Sequence, residues 1–127
     1  MKKTIILVLI ILLIMCCSIF AFAGTTANPY FSTVTTYLDA NKVADFEAYT
    51  KEPMNTIQVT YVGLYQLTGT TWNPIASLSC PPDTSSGISY NSTRNYSSNI
   101  GSGTYKLFVT YYADGHTISR YSNTQTY

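Results

Sequence analysis

The chain opens on an unbroken apolar run and then changes period. From Ile5 through Phe20 no charged residue interrupts the hydrophobic stretch, which Lys2 and Lys3 precede and Ala21-Phe22-Ala23 follows. A short cationic start, an apolar middle and small residues at Ala21 and Ala23, before Gly24, are the three parts of a secretory signal, with cleavage expected between Ala23 and Gly24. Two other readings compete. The run is long enough to be a retained membrane anchor, and lipidation at Cys16 or Cys17 would tether the product. The small-x-small site, the missing cationic stop after it, and Met15 and Cys16 where a small residue would precede a lipidated cysteine favour cleavage.

After Gly24 the pattern is that of strands. Residues 24–32 show no periodicity and read as a flexible lead-in to a domain spanning 33–127. Thr33 to Leu38 is the first strand-like stretch; Lys42 to Thr50 alternates Ala44, Phe46 and Ala48 against Val43, Asp45, Glu47 and Tyr49. Glu52-Pro53-Met54-Asn55 reads as a turn. Thr56 to Gln66 then carries Ile57 and Val59 on one parity and Val62 and Leu64 on the other, which predicts a β-bulge near Gly63. Thr71 to Ser79 follows a tight turn, and Pro74 makes it an edge strand or a late-starting one. Pro81 to Gly87 reads as a loop, and Ile88 to Tyr96 as a weak strand with Ile88, Tyr90 and Tyr96 on one side.

The clearest segment is Thr104 to Tyr112. Tyr105, Leu107, Val109 and Tyr111 alternate with Lys106, Phe108, Thr110 and Tyr112, and Asp114-Gly115 then turns the chain into a last strand around Thr117 to Thr126. No helical period occurs after Gly24. Seven short strands predict an all-β fold: an antiparallel sandwich, immunoglobulin-like in architecture, with a small barrel as the alternative.

Composition narrows the function more than it names it. Beyond Gly24 there are five Lys and Arg against six Asp and Glu, so nucleic acid is excluded as a partner for want of clustered cations. All twelve tyrosines lie in this part, as suits a pleated, half-buried surface. Cys80 alone survives cleavage, which rules out an intramolecular disulfide and leaves it as a candidate free thiol, either a small apolar residue or the partner of a thiol on another chain.

The stretch Gly101-Ser102-Gly103-Thr104-Tyr105-Lys106-Leu107 resembles the corner before strand F of immunoglobulin-like domains. The resemblance implies that the Tyr105 hydroxyl ties back to upstream backbone. Leu107 stands where those domains carry cysteine, so an antibody-type domain is excluded. The order Ile57-x-Val59, the Leu64 to Trp72 hairpin, Gly103-x-Tyr105 and Asp114-Gly115 resembles a group of small exported proteins of Gram-positive bacteria classed as a domain of unknown function. That likeness implies export and a β-sandwich, and carries over no catalytic residue.

Catalytic chemistry finds little support. His116 is the single histidine and falls in a turn, where a solvated residue is the ordinary finding; a Cys80–His116 pair has no spacing to bring it together, and no metal or cofactor motif occurs. Asp45 and Glu47 share a strand face and suit a solvated surface better than an acid–base pair or a calcium site. What remains is aromatic. If Tyr105, Leu107, Val109 and Tyr111 point inward, Phe108 and Tyr112 point outward, with Tyr121 near them, and this candidate interaction face suits a partner protein or cell-envelope material. The expected function is therefore a secreted, non-enzymatic binding module, free of any membrane span once cleaved. A secreted toxin or antimicrobial protein is the alternative, and a Cys80 hydrolase the third reading.

Overall fold

A computed structural model describes residues 28–127. The expected cleavage positions Ala21, Ala23 and Gly24 lie outside the described residues. The described chain is all-β, with strands β1 (Phe31–Leu38), β2 (Val43–Thr68), β3 (Thr71–Leu78), β4 (Ser85–Asn95), β5 (Thr104–Ala113), β6 (His116–Tyr121) and β7 (Gln125–Thr126). All pairings are antiparallel.

β2 organises the fold. Its first half pairs with β1 and β4, its second half with β5 and β3, so the hydrogen bonding is continuous and the sheet curls about this one strand. The inner faces of both halves meet in a single core that includes Phe46, Ile57, Leu64, Tyr90, Leu107 and Tyr111, an arrangement compatible with the expected sandwich. Across that core the Tyr111 hydroxyl donates to the Thr35 carbonyl at 2.7 Å and accepts from the Thr36 hydroxyl at 2.6 Å. Burial pushes the Tyr111 phenol well above its usual range, with the Thr36 hydrogen bond opposing it.

The expected turn at 52–55 is instead the bend of β2. The register to β4 jumps between Tyr49–Ser89 and Met54–Gly87, so Pro53, which has no N–H to donate, falls where β4 leaves the ladder unpaired. The loosened N–H groups of Asn55 and Thr56 are taken up by the Asp114 carboxylate. The same irregularity overturns two expectations for β4. The strand begins at Ser85, inside the expected loop, and Ile88, which has no register partner, is 55% exposed while Tyr90 and Tyr96 are buried.

The parity switch in β2 is present as a bulge at Thr60, between the Val59–Tyr111 and Tyr61–Thr110 pairs, three residues before the expected glycine. Among the described residues β3 pairs with β2 alone, as an edge strand carrying Pro74. The expected last strand breaks into β6 and β7. Ser122 still holds to β5, its N–H donating to the Leu107 carbonyl and its hydroxyl accepting the Leu107 N–H, both at 2.8 Å, and the chain then turns to β1, where the Asn123 amide bonds both the N–H and the C=O of Leu38, at 2.7 and 2.9 Å.

The corner at Tyr105 forms as its resemblance implies: the hydroxyl donates to the Ser102 carbonyl at 3.0 Å. Gly103 makes this possible with φ of 136°, and a Cβ there would lie 2.8 Å from Gln66 Nε2, which itself reaches the Tyr105 oxygen.

Candidate functional site

The outward face of the β3–β2–β5–β6 half carries the aromatic surface. The Asp114-Gly115 turn, with φ of 43° and 90°, is a two-residue hairpin of the type with both central residues left-handed. That turn sets Phe108 directly opposite Tyr121, with ring centroids 4.9 Å apart. On the other flank of β5, Phe108 opposes Gly63 and Lys106 opposes Tyr65.

Gly63 leaves an opening that Tyr61 fills. The Tyr61 ring folds back over it, so that a Cβ at Gly63 would meet Tyr61 ring and hydroxyl atoms at 3.0–3.3 Å. Tyr61 and Tyr65 then both stand edge-on to Phe108, at 6.4 and 6.3 Å, and Tyr65 stands edge-on to Tyr121 at 5.6 Å. These tilted and perpendicular arrangements are the favourable ones for ring quadrupoles. Tyr61 and Tyr121 remain 41% and 49% exposed, which leaves the cluster open to solvent on one side.

Lys106 lies inside this surface. Its ammonium is 4.0 Å from the Tyr121 ring centroid and 4.3 Å from that of Trp72, which β3 brings across from the far edge. The cation is thus held between two ring faces, each attracting it by about 0.5–1 kcal/mol at an exposed site. Desolvation, and then the neighbouring Tyr121 and Tyr61, raise the Tyr65 phenol above its usual range.

Of the residues expected on this face, Phe108 and Tyr121 meet. Tyr112 does point outward, but four residues further along β5, opposite Gln58 and Thr117, and it joins none of the ring contacts. Lys106 shares the outward parity expected for Phe108, whereas Tyr61, Tyr65 and Trp72 come to this face from β2 and β3. The glycine in β2 was a usable signal for Tyr61, since a strand glycine leaves a gap that a neighbouring ring can cover.

The other candidate residues lie elsewhere. Cys80 has no disulfide partner among the described residues and is half-buried, packing against the core, and burial pushes its thiol up, partly offset by Arg94. His116 is not simply solvated: its ring stacks on Tyr30, with centroids 3.3 Å apart. Asp45 and Glu47 line a shallow outer groove with Asp83, Asn91 and Ser92, and among the described residues no three His, Cys, Asp or Glu side chains converge as a metal site. No helix among the described residues is long and apolar enough to cross a membrane.

Comparison with protein-family models, with curated proteins and with solved structures finds no match.

Proposed function

We propose that the chain is an exported, non-enzymatic β-sandwich module that binds cell-envelope material through the aromatic face, with a partner protein as the competing occupant. One observation carries this reading: Tyr61, Tyr65, Phe108, Tyr121 and Trp72 form a contiguous ring surface on an outward sheet face, with Lys106 fixed in its middle. Exposed apolar patches of this kind mark contact surfaces in soluble proteins. Rings also present flat, amphipathic area at little entropic cost.

The test is co-sedimentation of the purified protein with isolated cell envelopes and with envelopes stripped of protein. The Phe108→Ser, Tyr121→Ser double variant, checked for retained fold by near-ultraviolet circular dichroism, is expected to lose most of the sedimenting fraction. Binding that survives protein stripping assigns envelope polymer, and binding lost with it assigns a protein. Full retention by the folded double variant removes this face from consideration.

A further inference from the structure

A second surface, independent of the aromatic face, lies where the curled sheet fails to close. β1 and β6 each have one strand neighbour among the described residues, β2 and β5 respectively, so each presents a free edge. At one end the two edges are bridged by the Asn123 amide, which stands in for a strand by bonding both backbone groups of Leu38. At the other end no such bridge forms among the described residues, and a groove of about 490 Å3 opens between Thr33–Val34 of β1 and Ile118 and Arg120 of β6. Ligand clefts usually fall between roughly 300 and 1,000 Å3.

The groove has backbone, apolar and charged components. Because Leu38 turns its N–H and C=O away from β2, and the β1 register is uninterrupted from Thr33 to Leu38, the period of two turns the backbone groups of Val34 to the same free edge. Phe31, Val34 and Ile118 contribute the apolar lining, and Lys51 and Arg120 the charge. Among the described residues no carboxylate lines it. Arg120 uses one nitrogen, Nη1, on the Ser119 carbonyl at 2.9 Å, and a guanidinium has four further N–H groups.

The geometry points to strand addition: an extended acidic peptide segment pairs with the free edge of β1, places alternate apolar side chains over Phe31, Val34 and Ile118, and directs its carboxylates to Lys51 and Arg120. Free edges are built for such pairing. The two cations also decide the occupant. A second copy presenting the same edge would bring like charges together, which disfavours self-pairing, whereas an acidic strand is attracted.

The experiment uses the full chain expressed from residue 1, isotopically labelled, and three probes: a short peptide alternating glutamate and valine, its lysine–valine counterpart, and sodium polyphosphate. The acidic peptide is expected to shift the Val34 and Ile118 amides and to slow hydrogen exchange at the Val34 N–H; the lysine peptide is expected to do neither. Lys51→Glu with Arg120→Glu, both at exposed positions, should weaken the acidic peptide by about tenfold or more and admit the lysine peptide. The proposal is overturned if the acidic peptide leaves Val34 unprotected, if charge reversal leaves its affinity unchanged, or if polyphosphate reproduces the whole response, which would leave only an anion site. It is overturned equally if Val34 becomes protected with rising protein concentration alone, because the edge then takes a second copy.

Discussion

The carboxylate of Asp114 accepts the backbone N–H of Thr56 at 2.9 Å, joining the β5–β6 turn to the bend in β2. Its other oxygen accepts the Asn55 N–H at 2.8 Å and the Asn55 side-chain amide at 3.2 Å. A turn residue chosen for its left-handed φ thereby also satisfies donors that the bend removed from the ladder.

These bonds, led by that of the Asn55 backbone, hold the Asp114 carboxyl below its usual value, against a smaller opposing effect of desolvation. A depressed folded value means that the charged form stabilises the fold above the unfolded carboxyl pKa, about 3.9, and that this contribution fades as pH falls through the folded value. Asp114→Asn is therefore expected to lower Tm by a constant amount above about pH 5, with the gap to the parent closing on further acidification. A gap that stays constant down to pH 2 would show that the charge is not what stabilises the bend.

Phe108 and Tyr121 are direct cross-strand partners with touching rings. A double-mutant cycle with Phe108→Ala and Tyr121→Ala, read by denaturant unfolding, is expected to give a coupling of about 0.5–1.5 kcal/mol. Tyr112→Ala should couple to neither, since its ring lies outside the cluster. Additive behaviour of Phe108 and Tyr121 would mean that the rings are solvated separately.

Tyr111→Phe removes the hydroxyl that links β5 to β1 and leaves the buried Thr36 hydroxyl without its partner. Leaving a buried polar group unsatisfied costs about 1–3 kcal/mol. Unfolding in urea should show that loss as a lower midpoint with an unchanged slope, and the Tyr111→Phe, Thr36→Val double variant should recover part of it, because both polar partners are then gone. No recovery would place the cost in packing instead.

The β5 alternation was legible because period-two burial is a local property: each inward residue from Tyr105 to Tyr111 is buried, and each outward one is not. The Asp114-Gly115 dipeptide made the Phe108–Tyr121 pair legible too, since a two-residue turn leaves one register. The bend of β2 was not. Glu52-Pro53 has the composition of a turn, and only the lapse of pairing opposite Ile88 lets a strand run through it. The break before β7 was equally hidden, because there the chain turns to β1, where Asn123 reaches Leu38, 85 residues away in sequence.

By itself, then, the sequence determined the β class, the inward and outward sides of each clear strand and the hairpin at Asp114-Gly115. All of these follow from residue type and from neighbours a few positions apart. Only the tertiary structure decided that Trp72, Tyr61, Tyr65 and Lys106 join Phe108 and Tyr121 on one surface, and that β1 and β6 leave a cationic groove between them. Both features depend on which strands lie side by side across the curled sheet, and that order is set by how β2 bends to bury its two apolar faces, a balance no short stretch of sequence contains.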